Sequence, residues 1–202
     1  EQETQIYGIR ALIEALKAGK TIDKVFLQKG LQGGLSKELM PLLQAAQVPV
    51  QYVPVEKLNR LTKKNHQGVV ANLSPVDYHN FEDLVISVTE SGATPLFLVL
   101  DHLSDVRNFG AIIRTAECTG VSGIIIPKRG SVSITADTVK TSAGAVFRVP
   151  ICKVENLGDA VYYLQGSGIR VVAATEKTNQ LLYAEDFTVP TAIVMGAEDV
   201  GV

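Results

Sequence analysis

PLFLVLDHLSDVRNFGAIIRTAECTG, residues 95–120, joins a continuous apolar run to an amphipathic segment through a polar turn. The run PLFLVL (95–100) reads as a strand buried on both faces, the pattern of a parallel sheet covered by helices. Asn108 can cap a helix and Phe109-Gly110 allow a close backbone approach. Apolar residues from Ala111 to Cys118 favour one face, which predicts a helix over 108–118. Asp101, Asp105, Arg107, Asn108 and Arg114 then gather around the loop at the carboxyl end of a parallel strand, where open α/β sheets bind ligands. A capped helix with ordinary surface charges fits the same residues.

Outward from this stretch the second part of the chain alternates regularly. Further strands are expected at 122–126, 146–149, 169–174 and 191–195, and further helices at 135–142 and 156–165. Strands alternating with helices imply crossover connections and a parallel sheet. In the first part, Ile9, Leu12, Ile13 and Leu16 fall at i, i+3, i+4 and i+7, an amphipathic helix stopped at Gly19. Strands are expected at 24–28, 50–54 and 69–73, with helices at 35–47, kinked at Pro41, and at 55–62. Residues 74–93 begin with Ser-Pro and hold one helix, 81–90. The chain thus reads as a small α/β domain over 1–76, a linker with a cover helix over 77–93, and a larger α/β domain over 94–202.

Of the 202 residues, 46% are hydrophobic and 20% charged, which is globular composition with room for one large or two small domains. No apolar run is long enough for a membrane span, and no secretory signal opens the chain. Cys118 and Cys152 make neither a disulfide framework nor a metal-ligand spacing; both sit in apolar contexts and read as buried free thiols, which points to the reducing cytoplasm. The net charge of −2 hides an asymmetry. Residues 1–76 carry ten Lys/Arg and six Asp/Glu, a net of +4, whereas residues 77–202 carry nine and fifteen, a net of −6. A positive first domain can hold phosphates; a scatter of surface lysines gives the same count.

The chain has no G-x-x-x-x-G-K-[ST], no G-x-G-x-x-G after the strand at 95, no H-E-x-x-H and no G-x-S-x-G. It does have IVMGAEDVG (193–201), where a buried strand ends in Gly196, then Glu198, then Gly201. Glycines there let the backbone approach a ligand and leave amides free to bind it; a plain strand turn with an exposed Glu is the alternative. VVAATEKT (171–178) ends another strand in small residues, with Thr175 and Glu176 at its tip. In KTSAGAVFRVP (140–150) the small residues from Ser142 to Ala145 indicate tight packing. KKNHQG (63–68) clusters Lys63, Lys64, Asn65, His66 and Gln67 on a loop, a set that suits RNA phosphates and base edges but equally a solvated charge run.

Together these residues resemble the SpoU/TrmH family of RNA ribose 2′-O-methyltransferases, within the SPOUT superfamily. NFGAIIRTAE (108–117) resembles the family's first motif, and GAEDVG (196–201) its second, a glycine–x–glutamate–x–x–glycine at a strand end. YGIRALIEAL (7–16) and NHQG (65–68) resemble the substrate-binding domain these enzymes carry. The likeness covers nearly the full chain. It implies a parallel-sheet, Rossmann-like catalytic domain with a trefoil knot, preceded by a small α/β domain like a ribosomal protein. The implied activity is methyl transfer from S-adenosyl-L-methionine to a ribose 2′-hydroxyl, at a guanosine of large-subunit ribosomal RNA. The same reaction on transfer RNA, or a non-catalytic RNA-binding protein of this fold, are the alternatives.

By the resemblance, Arg114, Asn108 and Glu198 are catalytic, and Gly196, Thr175, Met195 and Gly201 hold the cofactor. Lys63, Lys64, Asn65, His66, Gln67 and Arg107 contact RNA, no metal is implied, and the active site forms in a homodimer of the catalytic domain. An arginine stays protonated in essentially all sites, so Arg114 reads as a phosphate clamp and a cation for developing alkoxide charge rather than as a base. The family's third motif, an I-P-M stretch followed by S-L-N-V-S, is absent. In the family that tail closes the knot and supplies much of the cofactor pocket, so the catalytic domain is expected to lack its C-terminal part.

Overall fold

The computed structural model describes residues 5–197 and 201–202. Leaving aside residues 133–136, they form two compact units, one through Asp77 and one from Tyr78.

In the first unit, β1 (Gln5–Tyr7), α1 (Ile9–Lys17), β2 (Ile22–Gln28), α2 (Gly34–Ala45), β3 (Val50–Val53), α3 (Val55–Leu61) and β4 (Val69–Leu73) follow in chain order. The sheet order is β1-β4-β2-β3, with β2 and β3 parallel and β4 antiparallel to both its neighbours. Alternation along the strands divides the core. Val25, Leu27, Val69 and Ala71 pack with Leu12 and Ile13 of α1 and Leu39 and Leu43 of α2. Phe26, Val70 and Val53 point the other way and pack with Leu58 of α3. The helix α2 runs through Pro41.

The second unit holds α4 (Phe81–Glu90), β5 (Leu96–Leu100), α5 (Val106–Cys118), β6 (Gly123–Pro127), α6 (Ala136–Thr141), β7 (Ile151–Val154), α7 (Leu157–Gly166), β8 (Arg170–Ala174) and β9 (Thr191–Met195). Its five strands run in the order β7-β6-β5-β9-β8 and all neighbouring pairs are parallel. Phe97 and Val99 of β5, Ile125 of β6 and Cys152 of β7 are fully buried against Val85 of α4 and Ala160 and Leu164 of α7. An edge-on ring contact between Phe81 and Tyr163, centroids 5.4 Å apart, ties the two helices together. His79 donates its N–H to the Ile151 carbonyl at 2.9 Å, so one residue covers part of the β7 edge.

Four expectations need correction. The strand expected at 146–149 is a 3-10 turn, Ala145–Phe147, entered through Gly144 at φ +81°; strand pairing starts after Pro150, which has no N–H to give a ladder, with Ile151 opposite Ile124. The helix after β5 begins at Val106, not Asn108. A short first strand, β1, precedes α1. Cys118 is exposed, so only Cys152 is a buried thiol.

Candidate active site and RNA interface

The strand order sets the place of the site. The chain leaves β5 toward β6 on one side and comes back through β9 on the other, so strand order reverses between β5 and β9. In open parallel sheets ligands bind outside the carboxyl ends at such a point. The Asp101 N–H donates to the Met195 carbonyl at 2.8 Å, so the two strands release their loops side by side. A Cβ on Gly196 would stand 2.0 Å from the Gly201 carbonyl oxygen and 2.4 Å from the Val202 nitrogen, so no other residue fits there without moving backbone. Gly201 sits at φ +71° and donates its N–H to the Ala197 carbonyl at 2.9 Å.

The next strand joins the same rim. Ala174, the end of β8, pairs with Met195, and Thr175 follows it. Thr175 Oγ1 accepts from the Lys177 N–H at 3.2 Å, and Lys177 Nζ donates to the Val202 carbonyl at 3.4 Å. The Glu176 carboxylate lies 3.6 Å from where a Cβ on Gly201 would stand. Thr175, Met195, Gly196 and Gly201 are therefore brought to one rim of the sheet. Glu198 lies outside the described residues.

The helix α5 starts beside this rim. Its N-cap is Asp105, whose carboxylate accepts from the Arg107 N–H at 2.6 Å and the Asn108 N–H at 3.0 Å. Those two donors, Asn108's first, hold the Asp105 carboxyl below its ordinary value. Asn108 is thus a first-turn residue and not the cap. Six positions on, Arg114 is exposed and makes no hydrogen bond or ion pair with any described residue. On a regular helix that separation places the two side chains about 120° apart around the axis and about 9 Å apart along it. They do not converge on one point.

Gly110, one turn into α5, is buried against α6: a Cβ there would meet Thr141 Oγ1 at 1.9 Å, Thr141 Cβ at 2.7 Å and the Ser142 nitrogen at 3.1 Å. Ser142 and Ala145 are buried, as tight packing of the small residues requires. Where α5 and α6 meet, a cavity of about 730 Å³ opens, lined by Ser104, Asp105, Val106, Arg107, Asp137, Lys140 and Thr141. Arg107 is among the residues lining this cavity. Sequence reasoning misses Lys140 and Thr141; the signal is KTSAGA itself, whose small residues bring that helix onto Gly110.

The loop 63–68 is partly folded back on its own unit. Lys64 Nζ stands 4.6 Å over the Tyr7 ring and donates to its hydroxyl at 2.5 Å. His66 Nδ1 accepts from the Gly68 N–H at 3.0 Å, which leaves Nε2 to donate to Asn59 Oδ1 at 2.9 Å. Gln67, at φ +49°, lays its amide 3.4 Å from where a Cβ on Gly8 would stand. Lys63 and Asn65 are exposed. Lys64, His66 and Gln67 thus shape the loop, which leaves Lys63 and Asn65 as its outward polar groups.

Comparison with known proteins accounts for both units. The model of the SpoU rRNA methylase family matches residues 95–202, and that of the RNA 2′-O ribose methyltransferase substrate-binding domain matches residues 5–79. The chain belongs to the SpoU family of RNA methyltransferases. It is 33% identical to YacO of Bacillus subtilis, assigned to the TrmH family of tRNA/rRNA methyltransferases, over 100% of this chain and 81% of that protein. A TrmH family relative from Staphylococcus aureus strain MSSA476 is 37% identical over 99% of this chain and 81% of its own length. Among solved structures, the AdoMet-bound rRNA methyltransferase of Sinorhizobium meliloti superposes with a TM-score of 0.56 at 25% identity, covering 98% of this chain and 72% of that one. The SpoU methyltransferase AviRb of Streptomyces viridochromogenes, in complex with AdoMet, shares the fold at a TM-score of 0.55 and 20% identity, over 98% and 74% of the two chains. Among the described residues, no helix is long and apolar enough to cross a membrane, and no cluster of three His, Cys, Asp or Glu could hold a metal.

Proposed function

We propose that the protein transfers a methyl group from S-adenosyl-L-methionine to a ribose 2′-hydroxyl of RNA, at a guanosine of large-subunit ribosomal RNA. The observation that carries this reading is the strand-order reversal at β5 and β9, with a backbone approach at Gly196 that excludes any side chain, beside the helix bearing Arg114. The rim fits such a cofactor. Gly196 and Gly201 keep it free of side chains, and the nearby carboxylate of Glu176 suits a cationic sulfonium. When bound, the cofactor supplies a methyl group already activated on sulfur.

The chain supplies positioning and charge. Backbone groups of Thr175, Met195, Gly196 and Gly201 hold and orient the cofactor. Arg114 holds its charge against the negative charge that grows on the ribose oxygen, and can clamp the adjoining phosphate with its planar fork. Asn108, about 9 Å away along the helix, positions the ribose from the other side. By the family motif, Glu198 would orient Arg114 or Asn108, or hold the motif-two turn. Lys63, Lys64, Asn65 and, in the second unit, Arg107 contact RNA phosphates, with His66 and Gln67 shaping the loop.

The same reading makes the protein a homodimer through its catalytic unit, working in the cytoplasm, with the family's trefoil knot. Leu181, Leu182 and Tyr183 support the dimer: they stand 70%, 66% and 96% exposed between β8 and β9, an apolar stretch suited to a second copy. The two-unit plan with a positive first unit favours ribosomal over transfer RNA.

The test is methylation with radiolabelled S-adenosylmethionine of ribosomal RNA fragments and of transfer RNA, followed by alkaline hydrolysis. Methylation at the 2′-oxygen blocks cleavage of the neighbouring phosphodiester and leaves label in dinucleotides. Label released in mononucleotides refutes the 2′-O assignment, and label confined to transfer RNA refutes the choice of substrate.

A further inference from the structure

The first unit carries a second concave feature, away from any residue assigned above. A cavity of about 450 Å³ lies where the carboxyl ends of β2 and β3 meet α2. That is within the range of small-ligand clefts, roughly 300–1,000 Å³. Tyr52 forms one wall and is 54% exposed, although it sits in a strand. Met40, 40% exposed, and Pro41 of α2 also line the cavity, as does Leu31. Gln28 and Lys37 are among its polar groups. An aromatic face, a thioether and a proline ring thus stand together around one cavity, open to water.

Two of the cavity's lining residues touch Gly68, the last residue of the basic loop. The Gln28 N–H donates to the Gly68 carbonyl at 2.8 Å, and a Cβ on Gly68 would stand 2.7 Å from Leu31 Cδ1 and 3.2 Å from Gln28 Oε1. The end of KKNHQG therefore presses directly on two residues that line the cavity. The slot lies in a unit whose sequence carries a net charge of +4 and matches the RNA substrate-binding model.

We infer that this cavity takes one unstacked nucleobase of the RNA substrate, with Tyr52 stacking on its face, Gln28 reading its edge and Lys37 meeting the adjoining phosphate. The inference rests on the reading of this chain as an RNA methyltransferase and says which form of RNA its first unit grips. Sequence-tolerant recognition of unpaired RNA works this way: every base offers a π-face to an aromatic ring, and an amide such as Gln28's can donate and accept at once. A fully paired helix keeps its bases stacked and cannot enter such a slot. The site therefore selects a loop, bulge or single strand beside the helix that the lysines hold.

The experiment uses the full chain, hexaadenylate RNA as the unpaired probe and a blunt RNA duplex of equal charge as the paired one. Loss of one stacking partner typically weakens single-strand binding roughly 5- to 100-fold. Tyr52→Ala should weaken hexaadenylate binding by that factor, leave duplex binding within twofold, and leave the salt dependence of both unchanged. Tyr52→Phe, which keeps the ring, should restore near-normal affinity. Lys63→Ala should instead flatten the salt slope by roughly one unit for each phosphate it no longer neutralises. Equal binding of hexaadenylate by Tyr52→Ala and the parent overturns the inference while the methyltransferase reading stands. A change in sedimentation mass of Tyr52→Ala with RNA affinity intact also overturns it, by making the slot a contact between copies. Failure of the parent chain to bind either RNA removes both readings together.

Discussion

Replacing Gly110 by alanine sets two effects against each other. Inside a helix, alanine is favoured over glycine by about 1 kcal/mol, because glycine loses more backbone freedom on folding. Here the added methyl would stand 1.9 Å from Thr141 Oγ1 and 2.7 Å from Thr141 Cβ. The hydroxyl cannot swing aside freely, because it donates to the Asp137 carbonyl at 2.8 Å. The Ser142 nitrogen, 3.1 Å away, blocks a simple slide of α5. Overpacking of this kind typically costs about 1–3 kcal/mol beyond any propensity gain, and more when backbone must move. The expected outcome is a net loss of about 1–2 kcal/mol, a melting temperature lower by roughly 2–8 °C in a chain of this size. Thermal unfolding followed by circular dichroism measures it. Methyl transfer should fall as well, because Thr141 lines the cavity that holds Arg107 and Lys140. In a Thr141→Gly background the oxygen and Cβ are gone, so Gly110→Ala should become near neutral, a coupling within the range of about 0.5–3 kcal/mol seen for touching residues. A higher melting temperature for Gly110→Ala alone, or the full cost persisting with Thr141→Gly, would refute the close-approach argument.

Four further outcomes are expected. In a protein carrying the family's third motif as well, Arg114→Ala should keep the cofactor affinity in calorimetry and lose about 10² to 10³ in single-turnover methylation, with little recovered by Arg114→Lys, since an ammonium lacks the planar fork. The Asp105 carboxyl is held below its ordinary value of 3.8, so its capping contribution is complete above that value and is lost as pH falls through the lower folded value; hydrogen exchange at the Arg107 and Asn108 amides should quicken only in that acid range, and should be quick at neutral pH in Asp105→Ala. Burial pushes the Cys152 thiol up to about 12, whereas Cys118 is exposed; a thiol reagent on the native protein at pH 8 should therefore label one cysteine, and the label should vanish in Cys118→Ser. Leu182→Asp should convert a dimer to monomer in sedimentation without lowering the melting temperature by more than a degree or two, because the side chain is 66% exposed in the single chain.

The parallel core was legible because its strands are continuous apolar runs: LFLVL and GIIIP fit a sheet covered on both faces and are too short for anything else so apolar. The helix Phe81–Glu90 was legible to the residue, since Asn80 caps it through the Asp83 N–H at 3.0 Å and Ser91 and Gly92 end it. What failed were features decided at a distance or by competing local signals. QIY is too short to show a period, and becomes a strand only because Gln5, Ile6 and Tyr7 find Asn72, Ala71 and Val70. VFRV has strand propensity, but the left-handed Gly144 and the missing N–H of Pro150 move the pairing to Ile151. Asp105 and Asn108 are equally good caps by type, and the choice went to the residue nearer the strand. The glycine rim at Gly196 was legible from sequence as a place of close approach. The inward turn of Lys64 and His66 was not, because Tyr7 and Asn59, their partners, carry no signal that they would meet that loop. Tyr52 and Met40 look like ordinary strand and helix residues until the fold leaves them uncovered.

The interior position of β9 has a bearing on how the protein is made. Thr191–Met195 is the last of the described strands, yet it sits between β5 and β8 and is the only strand neighbour β8 has among the described residues. All described strands of the first unit have been made once β4 has left the ribosome, but β5 must wait for a partner that is more than ninety residues downstream. At a translation rate of about 5–20 residues per second, that wait is roughly 5–20 s. Throughout it, one edge of LFLVL stays open, an apolar strand edge of the kind that pairs with whatever chain is nearby. Nascent copies crowded on one messenger are the nearest such chains.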